Sequence, residues 1–254
     1  MKQDKEKKKQ IIKDWNNEFP MLKYVPTTKL LMRLDIITIG IWFLPGKYDG
    51  NVYDPILMCG FLWKEEPFQP HYIQYLENVQ RIEYSKHDDI FYASTKEVKK
   101  QCGNLFKGEV AVSDLFRTIK AKYFYKFSCG PFLFERVIMC ELMLALAAYF
   151  HEDHELSLAV KNEIKKDMRN WSKKHFQRLY DKSPNEWFDE MIERFSDHDA
   201  FMKLVNKNSS NPKVARLREG HLYNDGVAAI EILKKPNYPL KKRISDWLHY
   251  LLWK

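Results

Sequence analysis

The chain has 254 residues, of which 45% are hydrophobic and 30% charged, and its formal net charge is +8. That length is ample for one large domain with a real core, and the hydrophobic share excludes a disordered chain. The positive balance favours polyanions or acidic partners and disfavours basic ones, without choosing between protein and nucleic acid.

Two further compositional features narrow the class. Aromatic residues reach 15%, with 14 Tyr, 16 Phe and 7 Trp, a surplus that points to a contact surface. Cys59, Cys102, Cys129 and Cys140 show no C-x-x-C spacing, which fits reduced core thiols in a cytoplasmic protein. The opening MKQDKEKKKQ is cationic but no apolar h-region follows it, so no signal peptide is expected.

Residues 1–20 place Ile11, Trp15 and Phe19 four apart with Ile12 alongside, the spacing of an amphipathic helix. Residues 29–92 read as β-rich. KLLMRLDIITIGIWFL and YDPILMCGFLW are apolar on both faces and flank a turn-like GKYDGN, predicting an antiparallel hairpin buried on both sides. The stretch from His71 to Phe91 fits strands completing a small meander. Ser94 and Glu97 have capping-box spacing, predicting a short helix to Gly103.

Residues 94–254 read as helical. Ser113 is the expected cap of a helix with Leu115, Ile119, Tyr123 and Phe127 on one face. GPFLFERVIMCELMLALAAYF, from Gly130 to Phe150, is apolar all round and is the expected buried central helix. It is long enough to span a bilayer, but Glu135, Arg136 and Glu141 each add about 2.5–3.5 kcal/mol near a membrane centre, so no membrane span is expected. Each of these charges should find a partner or mark where the helix meets solvent.

A helix over 156–179 follows, with Leu156, Val160, Ile164 and Met168 inward. Ser183, Pro184 and Glu186 combine three start signals for the next helix, with Trp187, Met191 and Phe195 inward. Shorter helices are expected around Phe201–Val205 and Val227–Leu233, and a last one carries Leu240, Ile244, Trp247 and Leu251.

Chemistry-bearing motifs are few. His151 and His154 are three apart, whereas a zincin helix needs histidines four apart with a glutamate between them, so a solvated turn in which Asp153 caps the next helix is favoured over a metal site. Arg169-Asn170 with His175 fits the loose Arg-to-His spacing of the HEPN ribonucleases, but Arg216 with His221 and Arg243 with His249 fit it too. Glu163-Ile164-Lys165 has the E-x-K form of a nuclease motif on a helix, where that chemistry needs strands. Asp197-His198-Asp199 reads as a helix start.

The cationic strip is the better signal. Lys161, Lys165, Arg169 and Lys173 recur every fourth residue, with Lys166, Lys174 and Arg178 beside them, and such a cluster suits phosphates or acidic side chains. Tyr48, Tyr53, Trp63, Phe68, Tyr72 and Tyr75 gather around the hairpin as candidate interface anchors. The expectation is one α+β domain, an N-terminal antiparallel hairpin or small sheet on a predominantly helical body. It is expected to be a cytoplasmic, non-enzymatic interaction module (inhibitor, immunity-type protein or assembly subunit) with a protein partner, acidic by charge, and no cofactor. The alternative is nucleic-acid binding or metal-independent ribonuclease activity through 156–179.

Overall fold

The computed structural model describes residues 2–26, 28–46, 50–67, 69–79, 81–123 and 131–234. The fold is α+β: a curled sheet, most of whose strands lie near the N-terminus, packs against ten helices. Helix α1 (Lys2–Glu18) leads into strands β1 (Lys23–Val25), β2 (Lys29–Leu34), β3 (Ile37–Pro45), β4 (Val52–Phe61), β5 (Tyr72–Tyr75) and β6 (Ile82–Glu83). Helix α2 (His87–Cys102) and strand β7 (Glu109–Ala111) precede helices α3 (Val112–Tyr123), α4 (Pro131–Tyr149), α5 (His154–Met168), α6 (Lys173–Tyr180), α7 (Pro184–Ser196), α8 (His198–Ser209) and α9 (Pro212–Ala215). Strand β8 (Arg218–Tyr223) and helix α10 (Val227–Lys234) close the described part.

The strands run in the order β5-β4-β3-β2-β8-β7, with β1 on β2 and β6 on β4. Pairing is antiparallel from β1 to β6, and β8 joins β2 and β7 in parallel. Ile37, Ile39, Ile41 and Phe43 alternate into the main core with Leu57, Cys59 and Phe61, as a period of two requires. The opposite face is closed over a second cluster of Val25, Leu31, Met58 and Leu217, with Trp42 packed on it. That is why both predicted strands are apolar on both faces.

Three sequence expectations are corrected first, and a fourth, the Ser113 cap, below. The first predicted strand, 29–44, is itself a hairpin, folded at Asp35 with φ of 44°. Aspartate tolerates this left-handed conformation, and its carboxylate accepts the Leu222 N–H and faces His221 Nδ1 at 3.1 Å. Helix α2 begins at His87, so Ser94 lies buried in its interior rather than capping it; the first-turn Asp88 and Asp89 meet the helix dipole instead. The part read as all-helical, 94–254, contains β7 and β8. Gly220 lets β8 enter, because a Cβ there would lie 2.6 Å from Met32 Cε and 2.9 Å from the Lys107 carbonyl.

Other expectations match. Ile11, Trp15 and Phe19 are buried along α1 and just beyond it. Helix α7 starts with the full capping box, Ser183 Oγ taking the Glu186 N–H at 3.2 Å and Glu186 taking the Ser183 N–H at 2.6 Å. Asp197 caps α8 through the Ala200 N–H at 2.9 Å, and Asp153 caps α5 through the Leu156 N–H at 2.8 Å. Ser113 does not cap α3; its own N–H donates to Asp225 Oδ1 at 3.1 Å. Cys59, Cys102 and Cys140 are buried free thiols. Phe127, Cys129 and the predicted last helix lie outside the described residues.

Helix α4 is the central helix, with Leu133, Val137 and the run from Met139 to Ala148 buried. Among the described residues, no helix is long and apolar enough to cross a membrane.

Candidate functional site

The cationic strip lies on two helices where one was expected. Helix α5 ends at Met168, a turn follows through Asn170 N–H to Asp167 O at 2.9 Å and Trp171 N–H to Met168 O at 3.0 Å, and Ser172 Oγ caps α6 through the His175 N–H at 3.3 Å. Just before the break lies a buried ion pair. The Asp167 carboxylate takes Nε of Arg136 on α4 at 3.0 Å, Nη2 of the same guanidinium, and Trp171 Nε1 at 2.8 Å. Arg136 and Asp167 are each 6% exposed. A bidentate pair inside the core fixes which face of α5 turns inward.

That pairing settles the polarity of the outer face. Glu163 and Asp167, which sequence spacing places within the strip, are buried. Lys165, Lys166, Arg169, Lys173, Lys174 and Arg178 are exposed, and Lys161 is half-buried. Lys166 leans towards Glu163 at 3.7 Å, and Lys165 Nζ lies 5.3 Å from the Phe188 ring. Trp171 stacks on Phe176 at 5.4 Å and meets Trp187 at 5.7 Å, which seats α6 on α7. Leu158 on α5 and Leu179 on α6 are also exposed.

The weaker catalytic candidates separate. Arg169 ends α5 and His175 lies in the first turn of α6, both exposed. His221 lies on β8, so the Arg216 spacing is not a helical pair, and Arg243 with His249 lies outside the described residues. Glu163-Ile164-Lys165 is helical. His151 and His154 line a cleft of ≈ 680 Å³ with Tyr149, Phe150, Glu152 and Asn224. His151 lies against the His198 ring at 3.8 Å, and Asp153 is engaged by the Leu156 N–H and by Asn224. No three His, Cys, Asp or Glu side chains converge as a metal would need among the described residues.

The proposed aromatic anchors are corrected. Tyr53 and Trp63 are each 1% exposed, so neither offers an interface. Tyr53 hydroxyl takes Trp15 Nε1–H at 3.2 Å and meets His87 Nδ1 at 2.8 Å, and His87 Nε2 faces Asp14 at 3.3 Å. With the ring neutral and Nε2 protonated, Trp15, Tyr53 and His87 each have a hydrogen-bond partner. Trp63 Nε1 donates to Glu141. Tyr72 and Tyr75 lie in β5; their side chains, together with Tyr48 and Phe68, lie outside the described residues.

Burial tunes two histidines. His71 stacks on Phe61, accepts the Phe61 N–H at Nδ1, and is pushed down to about 4 by burial and then by Lys64. Burial also lowers His87, against the opposing pull of Asp14. Unfolding returns both towards 6.5, so the unfolded chain binds more protons below that pH. Stability is complete above pH 6.5 and falls as pH drops towards 4. Discounted for partial exposure, His71 accounts for about 2 kcal/mol at most. Urea midpoints at about pH 7 and pH 4.5 should show the loss and His71→Phe should lessen it; equal midpoints in the unaltered protein would contradict it.

The chain matches no protein-family model, no curated protein and no solved structure. The cationic face therefore stands on its own geometry. Sequence spacing found its residues and missed what orients them, the Arg136–Asp167 pair. The available signal was Arg136 in a mostly apolar helix, for which a partner was expected but not named.

Proposed function

We propose that this chain is a cytoplasmic interaction module that acts by binding, and that the α5–α6 face engages an acidic surface of a protein partner. One observation carries the reading: α5 and α6 expose six cationic side chains, with Lys161 half-buried, while Glu163 and Asp167 of α5 are turned into the core. The two exposed leucines favour a protein over a nucleic acid, because protein interfaces set apolar contacts within a polar rim. A stoichiometric inhibitor, an immunity-type protein and an assembly subunit all act in this way.

The direct test titrates labelled polyglutamate and a single-stranded RNA of equal charge against the full chain. Polyglutamate should bind with an affinity that falls as salt rises, and Lys165→Glu with Arg169→Glu and Lys173→Glu should weaken it at least about tenfold. RNA binding tighter than polyglutamate would move the reading to a nucleic-acid-binding protein. RNA cleavage lost in His175→Ala with the fold intact would move it to a ribonuclease.

A further inference from the structure

The cleft at the junction of α4 and α5 has the opposite sign to the chain as a whole. The sequence carries 42 lysines and arginines. Among the described residues, however, the cleft lining holds three carboxylates, Glu152, Asp153 and Glu155, and neither a lysine nor an arginine. The cleft opens at the C-terminal end of α4, the negative pole of the helix dipole, which favours a cation. Asp153 is committed to the Leu156 N–H and to Asn224 Nδ2. Glu152 and Glu155 are exposed, and neither forms an ion pair among the described residues.

Flat rings wall the cleft, and each is fixed in place. Tyr149 and Phe150 meet edge to face with centroids 4.8 Å apart. The Tyr149 hydroxyl is hydrogen-bonded to Asp35, and burial, then Asp35, push its pKa up to about 12, so this ring stays neutral. The His151 ring lies 3.8 Å from the His198 ring, and His198 Nδ1–H donates to the Ala148 carbonyl at 2.9 Å. Asn224 is held between Asp153 and the Gly226 N–H. Walls that are already ordered leave a ligand little ordering entropy to overcome.

We propose that this cleft binds a guanidinium group, the head of an arginine side chain. A guanidinium is planar and always charged, stacks on ring faces, and bonds a carboxylate through two parallel N–H donors. The cleft offers rings and open carboxylates together. An ammonium satisfies the carboxylates but gains less from flat rings, and a metal ion lacks a third converging ligand among the described residues. The three carboxylates disfavour an anion. A volume of ≈ 680 Å³ falls within the range of about 300–1,000 Å³ that takes a small ligand, so the atoms that flank the guanidinium fit as well. Exposed carboxylates and ring–cation contacts each contribute modestly. The net charge of +8 opposes a cation but is screened beyond about 8 Å at physiological salt. The expected result is weak binding governed by the carboxylates of the cleft.

Nuclear magnetic resonance titration of the full chain with N-acetyl-arginine amide, N-acetyl-citrulline amide, N-acetyl-lysine amide and free arginine tests this. Citrulline has the shape of arginine without its charge. The capped arginine should shift resonances of residues 149–155 and of the Asn224 side chain, and should bind at least about tenfold more tightly than the citrulline compound and about threefold more tightly than the lysine compound. Glu152→Gln with Glu155→Gln should lower its affinity at least about tenfold. Asp189→Asn with Glu193→Gln on α7 makes the same change in net charge, from +8 to +10, and should leave affinity within about twofold. All four substituted positions are exposed, and circular dichroism confirms the fold of each variant. Capped arginine binding more tightly than free arginine assigns the guanidinium to a peptide, and the reverse order assigns it to a small molecule; both support the site. Equal binding of the arginine and citrulline compounds, or of the arginine and lysine compounds, overturns the proposal, as do shifts confined to other residues or an affinity unchanged in the Glu152 and Glu155 variant.

Discussion

Arg136→Leu should destabilise the fold by about 3–5 kcal/mol, because the substitution leaves the Asp167 carboxylate charged inside the core. Asp167 is 6% exposed, and its remaining donor is Trp171 Nε1–H at 2.8 Å. One indole donor does not replace a guanidinium that bonds both carboxylate oxygens. Asp167→Leu alone should also destabilise the fold, since it removes the guanidinium's bidentate partner and the indole's acceptor. The double substitution should recover most of the loss, keeping a residual cost of about 1–3 kcal/mol for the unpaired indole. A double-mutant cycle by urea denaturation measures the coupling; two losses that simply add would show that the pair is not coupled. The same cycle bears on binding. The pair fixes which face of α5 turns inward, so single variants should lose polyglutamate affinity while every cationic side chain of the strip is retained.

How far the residues announced this arrangement depends on the range of the forces involved. Local capping chemistry was legible: Ser183, Pro184 and Glu186, and the single carboxylates of Asp153 and Asp197, act within three residues of themselves. Apolar periodicity was legible too, as with Leu156, Val160, Ile164 and Met168, all buried. The break at 169–172 was not, although its cap, Ser172, is local, because the apolar spacing continues through Trp171 and Phe176. Strand β8 was equally hidden. It alternates weakly, and its parallel partner β2 lies more than 180 residues away, so no local pattern encodes the pairing. The turn at Asp35 escaped notice for a related reason: apolar Leu34 and Ile36 flank it, and its stabilising contacts come from Leu222 and His221.

The aromatic surplus shows why composition misleads about surfaces. Tyr53 and Trp63 are polar-tipped residues that pack fully once their tips are satisfied, and each finds its partner on an element distant in sequence. Trp15, Phe43, Tyr84 and Phe91 surround the first such site, and Phe61, Phe195 and Phe201 the second. These rings join sheet to helices and are used up in doing so.

Glu141→Ala should cost about 2–4 kcal/mol, through loss of a clamp between the segment after β4 and two helices, α4 and α7. Glu141 Oε1 accepts Trp63 Nε1–H at 3.0 Å and Lys64 Nζ at 2.6 Å, with Arg194 Nη1 of α7 at 3.8 Å. The same segment is gripped by α8, where Asn208 Nδ2 donates to the carbonyls of Leu62 and Lys64 at 2.8 and 2.7 Å, and by Arg194 Nη2 on the Trp63 carbonyl at 3.2 Å. Lys64 and Arg194 are partly exposed and can turn towards water, so the larger share of the cost falls on the stranded indole N–H. Glu141→Gln keeps an acceptor for Trp63 and should cost less, about 1–2 kcal/mol. Tyr180→Phe provides the contrast. The Tyr180 hydroxyl is buried without a hydrogen-bond partner, and burial, then the charge of Glu141, hold its pKa well above the ordinary tyrosine range. Removing that hydroxyl should leave stability unchanged or raise it by up to about 1 kcal/mol. Urea unfolding of the three variants orders them. Equal losses for Ala and Gln would show that charge, rather than the indole bond, carries the clamp. An unchanged Glu141→Ala protein would mean that Asn208 and Arg194 hold the segment by themselves, leaving a buried carboxylate with no structural task and a reason to look for a chemical one.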